Sequence, residues 1–447
     1  MVEISAILSE GVAAMTFAGP KRRFLFAHWE GGGNTPPMLA IVRRLVARGH
    51  RVRVLSDLCN QTEVESAGAS FASWTRIPQR SDKSPVSDPI RDWEVRSPLV
   101  LLGRMRDRLF VGPALAYAQD LLEELERFPA NVVVTSEMLL GVMAAAESAG
   151  APCVGLSANI YLYPLPGVPP FGPGLQPAKG LPGRLRDALV RNFTLRIFGR
   201  GTAAFNATRR ALGLPPLAHP FEQVTRIARH LVLTSPVFDF PATSLPENVV
   251  YTGPELDDPE WVEAWNSPWS VDDQRPLVVV GFSSTFQDQR GPLSRIIEAL
   301  RPLNTRAVVT VGPALNMADL PAAHNVFVCR SAPHNQLLPD AAAVVTHGGH
   351  GTVIRSLAAG VPLLCMPMGR DQSDNAARVV ARGAGLRLSS KSSPKSIRNG
   401  VLEILESPCY REKAREMGKV IAKDARNSSA TQILEEVAAT LPRVAHG

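Results

Sequence analysis

The sequence predicts an α/β protein made of two parallel-sheet halves, and three observations carry that prediction. Short apolar runs of strand length alternate with longer amphipathic stretches along most of the chain. The alternation is interrupted at 255–275 by a stretch with two prolines and three tryptophans, and then resumes. The length, 447 residues, exceeds one ordinary core and suits two domains of roughly 200 residues each.

Residues 1–20 read as an extension. Their mildly apolar stretch precedes the basic residues at 21–23, the reverse of a secretory signal. RRFLFAH (22–28), a Gly/Pro loop, MLAIVRRLVARGH and RVRVLSD then read as strand, loop, helix and strand, with Gly49 ending the helix. The pattern recurs in NVVVTSE (131–137), a helix over 139–149, and PCVGLSA (152–158). From Asn159 a Pro/Gly/aromatic segment cannot be one regular element and is expected to line a pocket. The basic amphipathic segment 184–200 is expected to pack near that pocket, the alternative being a membrane surface. HLVLTS (230–235) and NVVYTGP (248–254) close the first half. The second holds the runs 276–285, 306–312, 325–330, 342–349 and 361–367, then charged helical sequence over 395–441. The expected units are therefore 1–20, 21–254, a linker 255–275, 276–420, and a final helix in 421–447.

A net charge of +7 suits a protein that handles an anionic ligand. It is spread over separate helical segments rather than gathered in a stripe with aromatics, which argues against a nucleic-acid partner. The five cysteines are scattered without C-x-x-C or His/Cys pairing, as expected of buried thiols in a reducing compartment and not of a metal site. No run reaches 18 apolar residues, so the expected location is cytoplasmic.

The densest signal spans residues 342–385. A strand runs into His347-Gly348-Gly349-His350-Gly351-Thr352, where a helix begins. The glycines let backbone N–H groups approach an anion, and the helix terminus adds free donors and a favourable dipole. Thr352 and His347 can donate to the same phosphate. After the next strand, Asp371 and Gln372 supply acceptors and a donor suited to sugar hydroxyls. G-x-G-x-x-G does not follow the first strand and G-x-x-x-x-G-K-[ST] occurs nowhere, against a dinucleotide oxidoreductase or an ATPase.

THGGHGTVIRSLAAGVPLLCMPMGRDQSDNAARV, with PPMLAIVRRLVARGHRVRVLS near the start, resembles the GT-B glycosyltransferases, the family that includes plant UDP-sugar transferases and bacterial antibiotic and macrolide glycosyltransferases. The resemblance covers most of the chain. It implies two facing Rossmann-like domains with the active site in the cleft between them: 21–254 for the acceptor, 276–420 for the nucleotide sugar, and a last helix crossing back to the first domain. It implies that His347, Gly349, Gly351 and Thr352, with the loop Ser283, Ser284 and Thr285, hold a diphosphate without a metal. By the same resemblance Ala332, in Ser331–His334, passes beside the base and Asp371 and Gln372 meet the sugar. Ser331 and Arg355 stand where plant members carry Trp and a ribose-gripping Glu, which places a dTDP-deoxysugar ahead of a UDP-sugar as donor.

Transfer to a hydroxyl needs a base. The resemblance puts a His at the end of the first strand; His28 holds that place, although its Gly loop is about four residues longer than the family's. Counting back without a gap from Arg48-Gly49-His50 lands on Gly32 instead. Glu137 is expected to orient the His28 imidazole, and Glu30 is the alternative base. Trp74, Trp93, Phe110, Tyr161 and Tyr163 are expected to form the apolar wall for a lipophilic small-molecule acceptor. With no evident covalent nucleophile, the reaction expected is a single inverting displacement. A non-catalytic nucleotide-sugar-binding auxiliary protein is the reading from another class, and a homodimer stays open.

Overall fold

The computed structural model describes residues 19–95, 97–258, 262, 265–283, 285–312 and 315–440. Residues 1–18, nearly all of the expected extension, and Ser284 lie outside that set.

The first half is a seven-stranded sheet, entirely parallel, in the order β3-β2-β1-β4-β5-β6-β7. Its strands are β1 (Arg23–Ala27), β2 (Arg51–Ser56), β3 (Ser70–Ser73), β4 (Val132–Ser136), β5 (Cys153–Ser157), β6 (Arg229–Val232) and β7 (Val249–Tyr251). Period-two alternation divides its side chains between two cores. From β1, Phe24 and Phe26 join Met38, Ile41 and Leu45 of helix α1 (Thr35–Ala47), while Leu25 and Ala27 face Trp74, Leu109 and Tyr117 on the other side. Gly49, at φ +85°, ends α1 as its spacing predicts.

The second half is a six-stranded parallel sheet, β10-β9-β8-β11-β12-β13. Here β8 is Leu277–Gly281, β9 Arg306–Thr310, β10 Val326–Cys329, β11 Ala341–Thr346, β12 Leu363–Cys365 and β13 Gly385–Arg387. Strand order reverses beside β1/β4 in one sheet and beside β8/β11 in the other. At such switch points neighbouring loops diverge and leave a crevice at the carboxyl ends of the strands.

Helices α2 (Pro98–Met105) and α3 (Gly180–Gly199) pack against each other at the rim of the first half. In the second half, α4 (His350–Ala358) follows β11 and α5 (Gln372–Ala381) follows β12. The chain ends in α6 (Pro408–Arg426) and α7 (Ala430–Ala439). A boundary at 420/421 would cut α6, whose Met417 and Ile421 both belong to the second half's core. The crossing falls at 427–429. Beyond it Ala430, Leu434, Val437 and Ala438 complete the first half's core, and Glu435 pairs with Arg48 and with His50 at 2.8 Å. The two passages between halves touch: Ser429 N donates to Thr252 O at 3.2 Å and Ser428 Oγ to Glu255 Oε1 at 2.8 Å. No helix among the described residues is long and apolar enough to cross a membrane.

Candidate functional site

Both switch points open onto one cleft of about 1540 Å³, larger than the few hundred to a thousand of a typical small-molecule site. On the second half, β11 runs straight into His347. Gly348 takes φ +92°, and its N–H is held by Thr346 Oγ1 at 3.2 Å. Asn375 Nδ2 secures the Gly348 carbonyl at 3.0 Å. The His347 ring lies over Gly349, where an added Cβ would come within 2.5 Å of Nε2. Burial brings the His347 pKa down to about 4, so the imidazole is neutral. No side chain caps α4, which leaves its first backbone N–H groups as donors at the cleft, beside Thr352. Ser283 and Thr285 hydroxyls meet at 3.0 Å in the loop after β8. These groups form a neutral, donor-rich cradle of the kind that fits an anion.

Asp371 and Gln372 also line this end, at the start of α5. Gln372 is nearly spent inside the fold: its Oε1 accepts from Met368 N at 2.8 Å and Gly369 N at 3.0 Å, and its Nε2 donates to Gln287 at 2.7 Å. Burial raises the Asp371 pKa, against the pull of Asn159 and Asn375. Ala332 borders the cleft, and His350 bonds Thr234 of the first half at 2.9 Å.

On the first half, His28 continues the pairing of β1 through its N–H to Leu55 O at 2.9 Å, which puts it and not Gly32 at the strand end. The longer loop closes on itself: Glu30 accepts from Gly32 N at 2.7 Å and from Thr35 Oγ1 at 3.0 Å. Thr35 Oγ1 also lies 3.1 Å from His28 Nε2. With its hydrogen given to Glu30, the hydroxyl accepts from Nε2–H, and the imidazole lone pair falls on Nδ1. Burial lowers the His28 pKa to about 3 and raises that of Glu30.

Two expectations are corrected. Glu137 does not pair with His28. Its carboxylate is hydrogen-bonded to Ser157 Oγ, which in turn lies 2.7 Å from His230 Nε2, and His230 Nε2 is 3.6 Å from Glu137. The reason is strand order: β5 and β6 lie on the side of β4 away from β1, and Glu137 turns toward them. The group that reaches His28 from a carboxylate is Thr35, with Glu30 behind it. Of the expected aromatic wall only Trp93 faces the cleft. Trp74, Phe110, Tyr161 and Tyr163 are buried in the core, with Trp74 Nε1 donating to His28 O at 3.0 Å. The miss lies in an irregular segment whose pattern gives no side-chain direction: Leu162 borders the cleft, while Tyr161, Tyr163 and Leu165 are buried in the core. The apolar lining comes instead from Trp29, Leu99, Met105, Phe171 and Phe193.

Arg370, to which no motif points, joins the two halves at the cleft. At φ +54°, it grips Asp92 through Nε at 2.8 Å and a terminal nitrogen at 3.0 Å. It also donates to Thr285 Oγ1 at 2.8 Å. Gln287 adds a bond to Asp92 at 3.0 Å, and Trp93 packs edge-on against Phe286. Burial opposes the Asp92 carboxylate, but Arg370 and Gln287 hold its pKa below the usual range. Among the described residues, no group of three or more His, Cys, Asp or Glu is placed to hold a metal ion.

Comparison with known proteins follows this geometry. Residues 294–438 match the model of the erythromycin biosynthesis protein CIII-like C-terminal domain. The chain is 31% identical over 427 residues to 4'-demethylrebeccamycin synthase of Lentzea aerocolonigenes, covering 90% of this chain and 96% of that protein. The crystal structure of the kitacinnamycin glycotransferase superposes with a TM-score of 0.73 at 22% identity, over 94% of this chain and 100% of that one. That of the glycosyltransferase VinC in complex with dTDP gives 0.62 at 18%, over 93% and 99%. At those identities the two structures speak for the fold.

Proposed function

Because this chain belongs to the GT-B glycosyltransferases related to the antibiotic and macrolide enzymes, we propose that it transfers a hexose, with inversion, from a dTDP-deoxysugar to a hydroxyl of a lipophilic natural-product acceptor. The observation that carries the reading is the confrontation across one cleft of a neutral imidazole, His28, with an uncapped helix terminus and glycine cradle at 347–352. The cradle would take the diphosphate, with Ser283 and Thr285 beside it, and stabilise the leaving group as its charge develops. His28 would accept the acceptor proton at Nδ1, and the resulting imidazolium would be stabilised by Glu30 through Thr35. Asp371 would meet the sugar, and Ala332 the base.

Two features favour dTDP over UDP. Arg355, where a ribose-gripping acid stands in plant relatives, spends its guanidinium on the carbonyls of Asp257 at 2.8 Å and of Leu256 and Gly351 at 3.3 Å. VinC, of the same fold, holds dTDP. A calorimetric panel of dTDP, UDP, GDP and ADP, each with and without magnesium, tests the reading. Tighter binding of dTDP than UDP, unchanged by magnesium, is expected. Preference for UDP would correct the donor, and no binding of any of the four would overturn the transferase reading.

A further inference from the structure

Helix α3 is twenty residues long, yet only Ile197 and Phe198 of it are buried. Four of its large apolar residues face water: Leu181 is 79% exposed, Leu185 60%, Leu189 63% and Phe193 48%. At four-residue spacing these four share one helical face. The adjoining helix α2 buries none of its residues and adds Leu99 and Val100, 48% and 56% exposed. Single exposed leucines are ordinary; six large apolar side chains on two packed helices form a patch that calls for a covering surface.

The charges around the patch are mostly basic. Arg184 and Arg196 are exposed on α3 and Arg200 just past its end; Arg108 is exposed just beyond α2, where the exposed Asp107 is paired with Arg106. At 100° per residue Arg196 and Arg200 fall on the same side as the leucines. The one acid of α3, Asp187, falls on the opposite side and is paired with Arg186 at 2.7 Å. A two-fold contact with a second copy would set this basic face against itself, which like charges oppose. An anionic lipid surface offers both complements at once: acyl chains for the leucines and phosphates for the arginines. The patch also runs into the cleft, since Leu99, Val190 and Phe193 line the cleft's rim.

We propose that the α2/α3 face docks peripherally on an anionic membrane surface, holding the mouth of the cleft at the bilayer. The further consequence, that a lipophilic acceptor reaches the cleft by partitioning through the bilayer, rests on the glycosyltransferase reading; the docking does not.

The test is co-sedimentation of the full chain with vesicles of phosphatidylcholine alone and of phosphatidylcholine with about a third phosphatidylglycerol, whose negative surface attracts exposed arginines. Binding at least ten-fold tighter to the anionic vesicles is expected, falling steeply with added salt. Leu181→Glu and Leu185→Glu, neither of which lines the cleft, should each lower it about ten-fold while leaving the thermal midpoint and dTDP binding unchanged. Equal, negligible sedimentation with both vesicles would overturn the proposal. So would a wild-type dimer, seen by light scattering, that Leu185→Glu turns into a monomer, for that would give the face to a second copy. dTDP binding on the same preparation separates failure of the docking from failure of the proposed function.

Discussion

Replacing Arg370 by Ala should loosen the closure of the cleft without unfolding either half. The Arg370 side chain is about a quarter exposed and that of Asp92 only 6%. Removing one partner of a fully buried pair costs about 3–5 kcal/mol, mostly because the other charge is stranded. Here Gln287 still serves Asp92, and the guanidinium is partly wet, so a smaller cost than for a fully buried pair applies, about 2–3 kcal/mol. The loss falls on the contact between halves, since neither residue belongs to an apolar core. By the usual conversion, the closed population should fall about 30- to 150-fold relative to the open one. Amide exchange over residues 80–95 reads this directly, as a matching drop in protection with the central strands unchanged. The double variant Asp92→Asn/Arg370→Ala should be less impaired than Arg370→Ala alone, because it strands no charge. Additive effects in that cycle, or undiminished protection in Arg370→Ala, would refute the argument that this pair latches the halves.

Other outcomes follow from the same geometry. Gly349→Ala must displace the His347 ring; strain of about 1–3 kcal/mol should weaken dTDP binding by about 5- to 150-fold, and wild-type affinity by calorimetry would contradict the cradle. His28→Ala should lower kcat by about 10²–10⁴ with donor binding intact. Glu137→Gln should lower it far less, and an equal loss would move the base to Glu137. Acid should destabilise the fold early. His28, His347 and His350 have pKa values of about 3, 4 and 3, below the ordinary 6.5, so the native state holds them neutral while the unfolded chain takes up protons. Their stabilisation is complete above pH 6.5 and declines as pH falls toward 4, by about 2 kcal/mol each at pH 5. Urea midpoints measured from pH 8 to 5 should fall accordingly; a flat profile would mean that these rings titrate in the native state as they do in the unfolded chain.

The parallel strands were legible because buried strands write themselves as unbroken apolar runs, as in Val132–Ser136 and Leu277–Gly281. The cradle was legible because glycines at a strand-to-helix turn follow from backbone geometry alone. What escaped depends on which way a side chain turns. Tyr161 and Leu162 are neighbours of equal hydropathic promise in an irregular segment, and only its tertiary path sends one into the core and the other to the cleft. Glu137 could be assigned to the sheet edge, but its choice of His230 over His28 needs the strand order. The Asp92–Arg370 pair spans 278 residues of sequence between two irregular loops, so no periodicity announces it. Its one local trace is the GRDQ run, in which Asp371 and Gln372, not Arg370, carry the resemblance to a sugar site.

The contact between the two passages at 252–255 and 424–429 also limits how the protein can move. A single linker would let one half swivel about any axis, like a ball on a string. Two linkers bonded side by side act as adjacent pins and leave one easy rotation, about the line through Thr252 and Ser429. Gly253, next to Thr252, takes φ +85°, with the Asp424 carbonyl 2.3 Å from where a Cβ would be. Any side chain there would wedge the pins apart. A residue that does not itself line the cleft would then set how far the cleft can swing.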